Sequence, residues 1–165
     1  MAIMKKFYVK IVFILFSVMS IIPLYPQEEG GLSNLKKVAD DVKFSHAVEF
    51  YKLERYDRAL NEFNEYIEIY YDGIHRSEAF RKIAEIYIKR FDYQRAIEAY
   101  NRLYQEFSGS DEGLDAYFQS GVCYKKMGFD AKAEAIFKYI VQTHPGTSAA
   151  YNSEIQLDLL KMENE

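Results

Sequence analysis

One cysteine, Cys123, stands in 165 residues. That excludes an intrachain disulfide framework and any zinc site built on several thiolates. Proline and glycine are scarce too, at 3 and 8. A β-sandwich, which needs a turn about every ten residues, is disfavoured. There is no surplus of basic charge, with Lys+Arg at 21 against Asp+Glu at 25 and a net charge of −4. The electrostatic footprint of a nucleic-acid binder is missing. What the chain has is apolar bulk. Hydrophobic residues make up 49 % and aromatics 16 %, too much for intrinsic disorder.

Residues 1–26 differ from the rest. Lys5, Lys6 and Lys10 form a positive start, Ile11 to Ile22 is uncharged with only Ser17 and Ser20 as polar interruptions, and Pro23 and Pro26 break the run. This is the pattern of a secretory signal peptide. The run is short for a bilayer-spanning helix, which needs roughly 20 residues. No small-x-small triplet marks a cleavage point near Leu24–Gln27, so an uncleaved N-terminal anchor is the alternative. No cysteine lies nearby, which excludes a lipobox lipoprotein. Residues 27–34 read as a polar, flexible leader. Without the first 26 residues, three lysines are lost, leaving 18 basic against 25 acidic residues and a net charge of −7. The expectation is an exported, acidic, disulfide-free domain with Cys123 buried in an apolar helix.

A 37-residue period organises the remainder of the chain. Tyr56-Asp-Arg-Ala59, Tyr93-Gln-Arg-Ala96 and Asp130-Ala-Lys-Ala133 align at that offset. The same step relates Phe63 to Tyr100 to Phe137, Ala47 to Ala84 to Gly121, and Phe50 to Tyr87 to Tyr124. Within a unit the spacing is helical: Phe80, Ile83, Ala84 and Tyr87 form one stripe, and Ala96, Ile97, Tyr100, Leu103, Tyr104 and Phe107 another. Arg90-Phe91-Asp92 is a tight corner between them. Each unit is therefore a helix pair whose small residues allow close approach while aromatics fill the remaining space. Ser110 and Thr147 stand at helix starts, where a hydroxyl caps free N–H groups. Ser148 to Leu160 reads as a last helix, with Leu157, Leu159 and Leu160 on its apolar side and Glu154, Asp158 and Lys161 on its wet side.

These motifs resemble the tetratricopeptide repeat. The third unit is the most faithful, with Gly121-Val-Cys-Tyr124, Met127-Gly128-Phe129 at the corner, Ala133, Phe137 and Pro145. The resemblance covers roughly residues 41–150. Lys43 departs from it where Phe80 and Tyr117 supply an aromatic, Glu54 and Phe91 stand where Gly128 does, and Tyr71 and Ser108 where Pro145 does. The implied fold is all-α: a short right-handed solenoid of three helix-pair repeats over 35–146, with a capping helix and tail over 147–165. The longer period is similar to repeats of periplasmic envelope proteins. Two such are the lipoprotein of the outer-membrane β-barrel assembly machine and the division-linked partner of the Tol–Pal system.

No pattern carries chemistry. His46, His75 and His144 fall in unrelated places, and there is no nucleophile elbow or phosphate loop. The acids Glu62, Glu65 and Glu68 read as a solvated face. No catalytic residue, cofactor or metal ion is called for, and no nucleic acid. The resemblance implies instead a groove lined by the first helices of the pairs. Its rows are Phe44, Arg81 and Phe118; Val48, Glu85 and Val122; and Tyr51, Ile88 and Lys125. A lysine row, Lys52, Lys89 and Lys126, lies near one lip, where a helix-dipole role is the alternative. An apolar-aromatic wall with lysines suits a protein or peptide segment with an acidic flank. The expected function is non-catalytic protein–protein interaction in a bacterial cell envelope, as adaptor or scaffold, with membrane contact only through an uncleaved N-terminus. The alternatives are a small-ligand or lipid binder, a regulatory subunit of an envelope enzyme, and self-association over the same wall.

Overall fold

The computed structural model describes residues 29–163. Residues 1–26, expected to be a signal peptide or anchor, lie outside them. The chain divides into two units at residues 35 and 36. Of the first, only the start of one helix is described. Among the described residues all regular structure is helical: α1 (Glu29–Lys52), α2 (Tyr56–Ile69), α3 (Arg76–Lys89), α4 (Tyr93–Glu106), α5 (Asp111–Lys126), α6 (Asp130–Thr143) and α7 (Ser148–Glu163). None is long and apolar enough to cross a membrane. The architecture is a helical repeat solenoid. The pairs α1/α2, α3/α4 and α5/α6 keep the 37-residue period, with α7 last. One boundary differs from expectation: α1 begins at Glu29, inside the segment read as a flexible leader.

Small residues set the distance between paired helices. Ala47, Ala84, Ala59, Ala96 and Ala133 have no exposed surface. At Gly121 a Cβ would lie 2.7 Å from Phe137 Cε1, so α5 and α6 approach too closely for any side chain there. Phe63, Tyr100 and Phe137 fill the space beside these contacts and are buried. Each such ring stabilises the fold by roughly 1.5–3 kcal/mol through area removed from water.

The corners inside the repeats share one geometry. Glu54, Phe91 and Gly128 occupy one column of the period and have φ of 56°, 58° and 77°. The left-handed turn lets Phe91 N–H donate to Ile88 O and Asp92 N–H to Tyr87 O, both at 2.9 Å. Gly128 and Phe129 repeat the pattern with Lys125 and Tyr124. These bonds satisfy carbonyls at the helix end.

The joints between repeats are not alike. At the second and third joints, Ser110 Oγ accepts from Gly113 N–H at 3.1 Å and Thr147 Oγ1 from Ala150 N–H at 3.2 Å, the expected hydroxyl caps. Gly73 holds that column at the first joint. Any side chain there would collide with the Tyr66 hydroxyl. Tyr66 occupies the column that holds Leu103 and Ile140 in the later repeats. Its hydroxyl accepts from His75 N–H at 3.1 Å and donates to Asp40, whose other oxygen accepts from Ile74 N–H at 3.0 Å. So α1 and α2 jointly hold the backbone N–H groups of the turn that leads into α3. Burial, with Asp40 as hydrogen-bond acceptor, drives the Tyr66 phenol well above its ordinary value.

Arg76 completes this joint. Its guanidinium meets the Glu106 carboxylate bidentately, with Nη2 at 2.7 Å, and Nη1 donates to the Ile67 and Tyr70 carbonyls at the end of α2. One buried side chain thereby ties α2, α3 and the last turn of α4. The Glu106 contact comes first among the causes that raise the Arg76 pKa. In the next repeat the column holds Gly113, pressed against the Phe107 carbonyl.

Arg76→Met should destabilise the protein by about 3 kcal/mol, because Glu106 and two carbonyls lose their donor; thermal melting checks this, and Arg76→Lys should restore little of it. Gly128→Ala should cost about 1 kcal/mol in urea unfolding through its left-handed φ. Phe91→Gly should raise the midpoint slightly, since glycine adopts the φ of 58° without strain and the ring it removes is exposed.

Candidate docking groove

The expected groove rows separate into buried and open members. Phe44 and Phe118 are each only 7 % exposed, so the aromatic wall expected of them is absent. Phe44 stacks on His75 at 4.4 Å between ring centres and touches Phe63 and Tyr66. Phe118 packs on Phe137 and joins a cluster with Ala149, Ala150 and Leu160. The reason is that each first helix is covered twice, by its own second helix and by the first helix of the next repeat. A single-helix stripe registers only the former. Val48, Ile88 and Val122 are half-buried against the core clusters.

The groove surface is polar instead. Arg81 is exposed on α3. Glu85 accepts from the Tyr51 hydroxyl at 2.8 Å and from Lys82 Nζ at 2.9 Å, and Lys82 lies over the Tyr51 ring at 4.8 Å. Burial, then the Glu85 contact, push the Tyr51 phenol well above its ordinary value, so it remains a donor at neutral pH. Lys125 reaches Glu163 at 3.1 Å. Lys52, Lys89 and Lys126 are exposed in the last turns of α1, α3 and α5, and Lys126 also sits over the Tyr93 ring.

The opposite lip was missed by the sequence reading. A cleft of about 330 Å³ opens between Arg81, Asp111, Glu112 and Asp115 on one side and Thr147 and Ser148 on the other. Its own backbone N–H and the Ser110 hydroxyl hold the Glu112 carboxyl below the usual carboxylate range. Asp115 shares its column with Glu78 and Asp41. The 37-residue step contained this acidic row as plainly as the lysine row. The acidic row stands midway along α1 and in the N-terminal parts of α3 and α5, 11 residues before the lysine row at the helix ends, so the groove has two lips of opposite charge.

Groups capable of chemistry are otherwise engaged. His75 bonds Asp41 at 2.7 Å, and His46 stands 3.4 Å from Glu62. Glu62 and Glu65 of the supposed solvated face both bind Lys43. Among the described residues no group of three His, Cys, Asp or Glu is placed to hold a metal ion. Cys123 is buried as expected, and burial pushes its thiol up to about 11.

Residues 78–110 and 115–147 match the family model of the tetratricopeptide repeat. These segments span α3/α4 and α5/α6. No curated protein matches the chain. The fold is similar to the tetratricopeptide repeat domain of Arabidopsis OM64, with a TM-score of 0.54 and 17 % identity over 74 % of this chain and 96 % of that one. It is equally similar to the second such domain of human RPAP3, solved with the HSP70 peptide SGPTIEEVD, with a TM-score of 0.54 and 17 % identity over 76 % and 98 %. Family model and fold together support the tetratricopeptide repeat family, whose domains generally mediate protein–protein interaction without catalysis. The first pair, α1/α2, is the one the family model does not match. It is also the pair that carries Lys43, Glu54, Tyr66 and, just after it, Gly73.

At neutral pH the Cys123 thiol should resist iodoacetamide in the native protein, and its labelling should accelerate in step with unfolding across a urea series. Labelling as fast as that of a free thiol in the folded chain would contradict the burial described.

Proposed function

We propose that this chain is a non-catalytic docking module that holds a partner polypeptide segment along the first-helix groove. The observation that carries the reading is the pair of oppositely charged lips repeating every 37 residues: Asp41, Glu78 and Asp115 along one, Lys52, Lys89 and Lys126 along the other. Arg81, Tyr51 and Glu85 lie between them. Neighbouring helices in a repeat stack stand roughly 8–10 Å apart, and an extended chain advances about 3.3 Å per residue. A bound segment would therefore meet a new pair of lips about every third residue. Specificity would come from charge order more than from an apolar anchor, since Phe44 and Phe118 are committed to the core. The peptide bound by the RPAP3 domain supports a peptide partner by analogy of fold.

We place the module in a bacterial cell envelope, a reading that rests on the N-terminal sequence pattern alone. A role in envelope or outer-membrane assembly rests on the same pattern and the longer repeat. The polar lining of the cleft by Arg81 and its acids does not favour a lipid.

The test is photo-crosslinking in the native cell, with the full chain carrying the probe at Arg81 or at Lys89 and, as control, at the exposed Glu68 of α2. A discrete partner captured from Arg81 and Lys89 but not from Glu68 is expected. Equal capture from all three positions, or from none, would sink the groove reading. Substituting Lys89→Glu should weaken capture at Arg81 at low salt and less so at high salt, because exposed charges are screened.

A further inference from the structure

The last helix leaves a large apolar stripe uncovered. Tyr151, Ile155, Leu159 and Met162 lie at i, i+4, i+8 and i+11 on α7, between 40 % and 72 % exposed. They continue the columns of Leu114, Phe118, Val122 and Lys125 on α5. In α5 this stripe is covered by α7, and Leu114 and Phe118 share a core cluster with Ala149, Ala150 and Leu160. The face that α5 offers to the next first helix is therefore repeated on α7 with nothing on it among the described residues. It is also more apolar there than within the stack, where Arg81 and Glu85 occupy two of the same columns.

The complementary face exists in the same chain. The residues that α7 turns toward α5 include Ala149, Ala150 and Ser153, all buried. Three periods earlier these columns hold Val38, Ala39 and Val42 on α1. Val38 and Val42 are 57 % and 63 % exposed. The internal contact has a fixed step: Phe44 stacks on His75, and one further pair of periods along, Phe118 clusters with Ala149. The same step from Ile155 leads, in register, to Val38 of another molecule.

From this continuity with the inter-repeat interface, we propose that α7 of one copy docks on α1 of a second copy, head to tail. The chain thereby supplies its own next first helix. The α7 stripe carries no charge, and Val38, Ala39 and Val42 carry none on α1; the one acid on that face is the exposed Glu49, in the column of Leu160, at its far end. The contact is heterologous, using two different surfaces, so each added copy presents a fresh α7 and assembly grows beyond a dimer. A stripe of four large apolar side chains on one helix is above what scattered surface hydrophobics account for. The inference stands on the register alone and does not depend on the groove holding a partner segment.

The test uses the full chain in sedimentation velocity, as wild type and as Val42→Glu and Ile155→Glu. Both positions are exposed, so circular dichroism and melting should match wild type. The wild type should grow past dimer mass as concentration rises about a hundredfold through the micromolar range. Each variant alone should sediment as a monomer, having lost one of the two faces. An equimolar mixture should form a dimer and stop there, because each partner contributes the face the other lacks. A wild type monomeric throughout would overturn the proposal. So would self-association of Val42→Glu, which would mean α7 pairing with α7. Association of both variants would place the contact elsewhere, the N-terminal apolar run included, and would overturn it as well.

Discussion

Everything in this solenoid depends on how closely two helices of a pair can approach. At Gly121 the answer is contact between backbone and ring, and at Ala47 and Ala84 one methyl group more. That distance fixes the size of the space beside the contact, and aromatic rings of one size fill it three times over. A side chain of ordinary bulk in the small-residue column would push α5 from α6 and open voids around Phe137, whose lining would lose its dispersion partners. The 37-residue register is the sequence-level trace of this constraint. It keeps small residues opposite rings in every unit.

Within that common frame the first joint is built with different materials. Where later joints use a hydroxyl on the helix-capping residue, the first uses Tyr66 from α2 and Asp40 from α1. Where a later joint has Gly113 against a carbonyl, the first has Arg76 reaching two carbonyls and the Glu106 carboxylate. The substitutions are mutually dependent. Tyr66 demands Gly73, because the hydroxyl fills the room a side chain would need. Ends of helices that a simple cap would satisfy locally are here satisfied across the repeat boundary, by groups distant in sequence.

The helix pairs, their corners and the hydroxyl caps were legible from the sequence, since each rests on contacts within about one helical turn or on residues repeated in register. The burial of Phe44 and Phe118 was not. Their environment is decided by the neighbouring repeat, and a stripe drawn on one helix cannot display a second covering layer. The acidic lip of Asp41, Glu78 and Asp115 was legible, since it repeats on the same step as the lysines at the other lip, yet only the lysines were singled out. The Arg76 joint was hidden for another reason. It occurs once, so a search for periodic columns treats it as a departure from the pattern. Leu159, assigned to the dry side of the last helix with Leu157 and Leu160, lies largely on the opposite face, since residues two apart on a helix point about 200° from each other.

A stack of repeats holds together through nearest-neighbour terms, and here those terms are unequal. The joint between α2 and α3 contains two carbonyl bonds from Arg76 and a tyrosine–carboxylate bridge, while the Arg76–Glu106 ion pair lies within the second repeat, between α3 and α4. The joint between α4 and α5 contains a neutral cap and apolar packing, and its two helices pack more extensively than α2 and α3 do. Opening fluctuations should therefore divide the molecule at the first joint, releasing α2 and the helix before it while α3 through α7 stay folded. Amide protons of α4 and α5 would then exchange more slowly than those of α2. The polarity of unfolding would follow the depth of apolar packing, with the polar bonds of Arg76 and Tyr66 holding the sparser seam closed.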